Sequence, residues 1–543
     1  MKLPVLSYKT GKTKKQTYVF SGINRGESYS MGDLEEAENI SFDAFPAISA
    51  GRARQTASAG FDSNFEKIKV AGGVVEYRYA EGEGVYLRYI EEKSGAVATG
   101  LTLVEGAADG KRYAARAGNL VVVFPDKMYL DTKKIYSSFK SMEKPLNIKT
   151  DDCVYISHDR INTRDIAMYN TIKYNFNIGD VVTVDGKWFD GNYLGGYIHE
   201  AKMIIRAYDD ASYSIITDPN TFDKVSNDQL GATVLKINVP DLMHLTDFSS
   251  RVWGCDKDGK IYASKYNDPI NFEYFDLSSQ DSFTIETNTP GGFVASAKMS
   301  DHVAFFKEDK IHRITGTKAS NFRHSIVYTN GVANGSECSL AQKDGTLYFM
   351  STDGIYTYGG GESKKISAPL GDIKYLKGVG AFFKDVYYIS IKDGEKSSLY
   401  AFDTQKKIWL KDGDGDFKNA FLFAGETVFI DNENNAKKLA EQKDTQRDIN
   451  VTFREFKDGG WMDLRYTKLL ICARLQNGSK LTVEADWGFG FERVKTFTDF
   501  KKTAFEVRLK PSRTRGVRVR LCASPEVVIT KVASEHFTHG TTF

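Results

Sequence analysis

A repeated hairpin limits, more than any other feature, what this chain can fold into. A short apolar strand, a turn holding Asp, Gly or Lys, and a second strand carrying an aromatic recur along it. The unit reads NLVVVFPDKMYL from Asn119, RVWGCDKDGKIYAS from Arg251, HVAFFKEDKIHRITG from His302 and TLYFMSTDGIYTYGG from Thr346. It continues as DVYYISIKDGEKSSLYAFD from Asp385 and TVFIDNENNAKKL from Thr427, with GVYLRYIEEKSGAVATG from Gly84 a further member. Alternating apolar residues on both sides of an Asp/Gly-type turn dictate an antiparallel hairpin, because successive strand side chains face opposite ways. Between Val252, Val303, Leu347, Val386 and Val428 the steps are 51, 44, 39 and 42 residues. Four-stranded blades repeat at that spacing and bury their faces against one another. The expected fold is therefore all-β, a β-propeller of about six or seven blades.

The step from Leu120 to Val252 is longer than one blade by roughly 85–90 residues. The excess falls on 152–240, where IGDVVTVDGKWF, KMIIRAYDDASYSIIT and GATVLKINV predict a small β-barrel or sandwich inserted in a blade loop. From Arg447 the strands lengthen (INVTFREF, KLLICARL, KLTVEADW, AFEVRLK, VRVRLCA, EVVITKVASEHF) and predict a terminal antiparallel β-sandwich. The expected domains are an N-terminal arm with the first strands at 1–60, propeller segments at 61–151 and 241–446, the insert at 152–240 and the sandwich at 447–543. Helix signals are confined to Asp33–Asn39 and Glu433–Gln442.

Composition excludes several classes. The chain has 29 Tyr, 35 Phe and 47 Gly against 11 Pro, a balance that favours short strands and tight turns over helical bundles. No apolar run approaches the ~18–20 residues that cross a bilayer, so no membrane insertion by a helix is expected. The opening MKLPVLSYKTGKTKKQ lacks the apolar core of a signal peptide. Five scattered cysteines (Cys153, Cys255, Cys338, Cys472, Cys522) without a CxxC pair argue against a disulfide framework or a zinc site.

Chemistry-bearing patterns are few. The eight histidines form no HExxH or HxH, and His312 in KIHRITG reads as a sheet residue. No GxSxG elbow, phosphate loop or dinucleotide fingerprint occurs, so no catalytic residue, enzymatic activity or cofactor is expected. Asp412, Asp414 and Asp416 in KDGDGDF resemble the start of a calcium loop, but Phe occupies the positions that would need Gly and Glu; they are a weak calcium candidate beside an Asp/Gly turn. Aromatic-rich blades also allow a glycan-binding or carbohydrate-active propeller, although the DG turns lack the Ser and Trp of the sialidase repeat. The terminal segment is more distinctive. Lys510, Arg513, Arg515, Arg518 and Arg520 lie in a stretch without acids, and Arg518 and Arg520 share one strand face opposite Val517, Val519 and Leu521. They are candidate contacts for a partner or neighbouring subunit, against the alternative of a solvated sheet face.

Two strings carry a family resemblance. The first is Phe20-Ser21-Gly22-Ile23-Asn24-Arg25, then Leu34 to Asp43 (LEEAENISFD), then Gly51-Arg52. The second is Arg251-Val252-Trp253-Gly254, Ile261-Tyr262-Ala263-Ser264, Asn267-Asp268-Pro269 and Asn271-Phe272. Followed by a terminal sandwich, they resemble bacteriophage tail tubular (nozzle) proteins and packaged-DNA stabilisation hub proteins. The resemblance implies a structural virion protein, made in the host bacterial cytoplasm and carried in the tail. It implies a homo-oligomeric ring, a hexamer, below the portal and adaptor, with double-stranded DNA passing along the ring axis. Charge partition suits such an assembly. Residues 447–543 hold 18 bases and 11 acids and the rest 55 and 60, so a basic module is joined to an acidic body.

Overall fold

The computed structural model describes residues 12–30, 32–134, 137–143, 145–149, 154–157, 160–163, 166–190, 193–208, 212–217, 232–456, 464–509 and 516–538. The chain divides into two compact units, a continuous one of 64–331 and a split one of 1–63 with 332–543.

The continuous unit holds four four-stranded antiparallel meanders, beginning at Glu66–Val70, Tyr113–Ala117, Met243–Phe248 and Ala295–Lys298. Each buries its apolar alternation against the next sheet. Val75, Leu87, Val121 and Leu130 join the first two, Val122, Phe124, Val252 and Phe272 the second and third, and Trp253, Ile261, Phe305 and Ile314 the third and fourth. Five of the repeated hairpins with their predicted turns, at Asn119, Arg251, His302, Thr346 and Thr427, are the second and third strands of their sheets, as is the one at Asp385. The first sheet departs from the ruler. Its equivalent hairpin is Gly73–Ala80 with Gly84–Glu91, so Gly84 opens the third strand and the partner lies upstream.

The insert enters between the second and third sheets, after Lys140–Ser141 and before Met243–Phe248, rather than within one sheet's loop. It is a seven-stranded sheet in the order Leu146–Lys149, Ala232–Lys236, Val181–Asp190, Tyr193–Tyr208, Ser212–Thr217, Arg160–Thr163, Val154–Ser157. Val154–Ser157, last in that order, also packs against Val181–Asp190, so the sheet curls. The helix Ile166–Asn175 belongs to this insert.

The split unit holds three further meanders, starting at Ala341–Lys343, Lys377–Phe383 and Phe417–Phe423. The last has only three strands of its own; Arg52–Thr56 supplies the fourth, pairing with Ala436–Lys443. Seven four-stranded meanders, the repeat unit of a β-propeller, are thus present among the described residues. The terminal sandwich borrows in the same way. One sheet runs Lys12–Tyr18, Val528–Thr538, Leu464–Arg474, Ala504–Arg508, and the other Leu34–Glu38, Ile449–Phe453, Arg518–Ala523, Leu481–Asp486, Glu492–Phe497. Between them lie Leu34, Val451, Leu469, Ile471, Val483, Val519 and Leu521, all buried. Both expected helices are strands. Within 33–39 the chain forms Leu34–Glu38, and within 433–442 it enters Ala436–Lys443. In each case ladder pairing to a distant strand overrides a good local helix propensity.

Candidate functional site

The N-terminal string fastens the split unit together. Asn24 Nδ2 and the Ser30 backbone N–H donate to Asp33 Oδ2 at 2.8 and 2.7 Å, and Arg25 Nε donates to the Glu35 carbonyl at 2.8 Å. Asn39 Nδ2 donates to the Arg447 carbonyl, and the Gly51 N–H donates to the Asn39 carbonyl at 3.0 Å. A Cβ on Gly51 would sit 2.7 Å from Asn39 Oδ1 and closer still to Asp412 Oδ1; only glycine lets both side chains reach the backbone there. Arg52 Nη2 donates to Asp43 Oδ1 at 2.6 Å, its Nη1 donates to the Ala440 carbonyl at 3.2 Å, and its guanidinium lies 4.4 Å over the Phe383 ring.

Around Gly51 lies a buried ionic cluster that no local pattern announces. Asp412, 2% exposed, faces Arg54 Nη2 at 3.5 Å. Arg447 donates through Nη1 to the Asp412 carbonyl at 2.8 Å and through Nε to Asp444. Burial pushes the Asp412 carboxyl up to about 6 against the pull of Arg54 and Arg447, and pushes the Arg54 guanidinium down. Asn39 Oδ1, Arg54 Nε, Asp412 Oδ2 and Arg447 Nη2 are buried without a hydrogen-bond partner among the described residues. Such a cluster contributes little net stability, but it tolerates few alternative geometries, so it sets the register of Arg52–Thr56 on the last meander.

The structure separates the three calcium-candidate carboxylates. Asp412 faces the arginines, Asp414 offers its backbone carbonyl to Arg54 Nη1, and Asp416 accepts from Ser397 Oγ at 3.1 Å and Asn432 Nδ2 at 2.7 Å. Guanidinium groups beside Asp412 repel a dication, and the described residues contain no grouping of three or more His, Cys, Asp or Glu that could hold a metal.

The second string is likewise structural. Arg251 is 0% exposed and forms no carboxylate ion pair among the described residues; Nη1 donates to the carbonyls of Ser264 at 2.6 Å and Asp281 at 2.7 Å, and Nη2 to Ser279 at 2.9 Å. Burial holds its pKa below the usual arginine value. Ser264 Oγ accepts the Val252 N–H at 3.0 Å, Trp253 Nε1 donates to the Phe248 carbonyl at 3.1 Å, and Asn271 Nδ2 donates to Asp180 Oδ1 at 2.9 Å. That last bond ties the insert to the third sheet.

Of the terminal basic residues, Lys510, Arg513 and Arg515 lie outside the described residues. Arg518 and Arg520 do share one face of Arg518–Ala523, and acids on adjacent strands meet them. Arg518 bonds Asp486 Oδ2 at 2.5 Å and Glu35 Oε1 at 3.3 Å, and Arg520 Nη1 lies 3.5 Å from Glu484 Oε2. Both guanidinium groups lie over Phe491, Arg520 at 3.8 Å. Charge reversal at Arg518 would therefore disturb the subunit itself, so it is no clean probe of assembly.

Two further features escaped the sequence reading. His312 lies on the strand Lys310–Thr315, as the sequence reading had it, but it is 0% exposed and takes part in a chain of hydrogen bonds that no pattern announced. Lys307 Nζ donates to Thr289 Oγ1 at 2.9 Å, Thr289 Oγ1 lies 3.1 Å from His312 Nε2, and His312 Nδ1 lies 2.9 Å from His324 Nε2. Burial, reinforced by His324, Lys307 and Lys310, holds the His312 imidazole down to about 3. The other feature is the Asp486–Phe491 turn, whose signal was the glycine-flanked aromatic in DWGFGF.

No protein-family model and no curated protein matches the chain. Among solved structures it is similar to PorZ, an essential bacterial surface component of the type-IX secretion system of Porphyromonas gingivalis, at 10% identity over 93% of this chain and 76% of that one, with a TM-score of 0.26. It is also similar to Kluyveromyces lactis Hsv2 at 9% identity over 67% and 98% of the two chains (TM-score 0.23), and to the WD40 domain of Toxoplasma gondii coronin at 8% over 70% and 86% (TM-score 0.24). At such TM-scores none of these likenesses bears on activity.

Proposed function

We propose that this chain is a structural protein of a bacteriophage tail, a nozzle or hub subunit built largely of propeller-type meanders. Copies assemble as an oligomeric ring below the portal and adaptor, and the ring retains and conducts double-stranded DNA. One observation supports this above the others. The two strings that resemble the tail family are buried fastenings: Asn39, Gly51 and Arg52 lock the last meander to the chain's early strands, and Arg251 clamps its loop by three carbonyls. A subunit that bears the load of packed DNA must keep its modules in register, and residues used this way serve that need. Electron microscopy of the purified protein, with antibody labelling of phage particles, tests the proposal. Rings and labelled tails are the expected result; a strictly monomeric protein absent from particles would overturn it.

A further inference from the structure

The turn between Leu481–Asp486 and Glu492–Phe497 is built to hold one aromatic ring in solvent. Asp486 Oδ1 accepts the backbone N–H groups of Gly488, Phe489 and Gly490 at 2.7, 3.0 and 2.9 Å, while its other oxygen holds Arg518. Gly488 and Gly490 have φ of 101° and 102°, a region closed to most side chains, and they flank Phe489. Phe491 turns back beneath Arg520, whereas Phe489 is 97% exposed. The turn's backbone keeps little conformational freedom for a partner to remove, which favours an exposed aromatic as a contact residue. Glu492, Arg493 and Lys495, all exposed, follow on the outgoing strand, with two bases against one acid.

We infer that this finger is a subunit contact, and that its occupant is a second copy of this chain, met at the edge strand Thr102–Glu105. That strand is outermost in its sheet, with the Phe139 N–H donating to Thr102 Oγ1 at 3.2 Å at its start. Leu101 and Leu103, at alternate positions and hence on one face, are 52% and 36% exposed. The exposed acids Glu81, Glu83 and Glu105 cluster at one end of the strand, where Glu105 registers with Gly84 and Gly106 donates to the Glu83 carbonyl. A basic-flanked phenyl ring thus meets an acid-rimmed apolar edge. Finger-to-finger contact would oppose Arg493 and Lys495 to themselves, so the contact is heterologous, the type that generates rings or filaments. The inference rests on the ring reading, to which it adds the joint.

The test uses the full chain and two variants, Phe489→Ser and the double variant Leu101→Ser with Leu103→Ser. Circular dichroism and melting first show each folded, as expected for exposed positions. By size exclusion with light scattering, the wild type forms an oligomer and each variant alone self-associates at least ~30-fold more weakly, the scale of hot-spot loss. Mixed together, the variants form a capped dimer, because one copy keeps its edge and the other its finger. An oligomeric Phe489→Ser overturns the finger and leaves the ring standing, the outcome if the finger serves DNA or another tail protein. Two monomeric variants that do not pair overturn the assigned edge. A monomeric wild type overturns both readings.

Discussion

The chain at His312 makes the continuous unit sensitive to acid in a way that can be worked out. An unfolded histidine titrates near 6.5, while in the folded unit His312 is held down to about 3. The folded state therefore refuses a proton that the unfolded chain accepts across that window. Stability from this group is complete above 6.5, falls as pH drops, and is gone below 3. By linkage, His312 alone costs the unit about 2 kcal/mol on going from pH 7 to pH 5. For a unit of this size that is a melting shift of about 4 °C or more. The groups around it are Lys307 and Lys310, Asp309 beside Lys310, Thr289, and His324, whose pKa burial also lowers. His324 adds to the loss and Asp309 opposes it. The perturbation is His312→Phe, which keeps an aromatic ring in the site and removes the titration. Calorimetry at pH 7, 6 and 5, with hydrogen exchange read over Lys310–Thr315, gives the slope. The variant should start lower, since Thr289 and His324 lose a partner, yet lose about 2 kcal/mol less than wild type by pH 5. Parallel losses in the two proteins would refute the reasoning.

Four further outcomes are expected. Gly51→Ala should lower the stability of the split unit by about 1–3 kcal/mol, since its Cβ has no room beside Asp412 and Asn39; an unchanged urea midpoint would contradict the packing. Arg251→Met keeps the stem but leaves three carbonyls unpaired, for a loss of about 3 kcal/mol and faster proteolysis near 276–281; Arg251→Lys, which lacks the fork, should rescue only part of it. Arg518→Glu should destabilise the monomer by about 2 kcal/mol, visible in melting before any assembly assay, because it faces Asp486 and Glu35. Asp412 has the opposite sign to His312. Its folded carboxyl is raised to about 6, so its burial costs most above that pH, and wild type should gain stability relative to Asp412→Asn as pH falls from 8 to 5; a flat difference would count against it.

Local chemistry made the hairpins legible. The DG turns at Asp258 and Asp353, the Glu308-Asp309 turn and the strand alternation place the hairpins at Arg251, Thr346 and His302 correctly, because both signals lie within a dozen residues. The first sheet slipped by one strand because its turns, Ala71-Gly72 and Glu81-Gly82-Glu83, lack the marked Asp-Gly signal. Borrowed strands were invisible for a different reason. Arg52–Thr56 and Leu34–Glu38 take their partners from about four hundred residues away, and no periodicity encodes such pairing. The same distance hid the cluster at Asp412. Its arginines, Arg54 and Arg447, look solvated in their own neighbourhoods and become partly buried beside Asp412 only when the two ends of the split unit meet. The paired acids on Arg518 and Arg520 come from other strands, so a stripe read as uncompensated is compensated in space.

The borrowed strands also set an order of events during synthesis. The described strands of residues 64–331 pair with one another and have their ladder partners once that stretch has emerged. Lys12–Tyr18 and Leu34–Glu38 do not; they must wait for Val528–Thr538 and Ile449–Phe453. At the ~5–20 residues per second of translation, that wait is on the order of a minute. The sandwich that carries the Phe489 turn is therefore finished only when nearly the whole chain exists, and a truncated subunit would lack the strands that build that turn's sheet. Completeness of the chain and completion of the Phe489 turn's sheet are coupled by the topology alone.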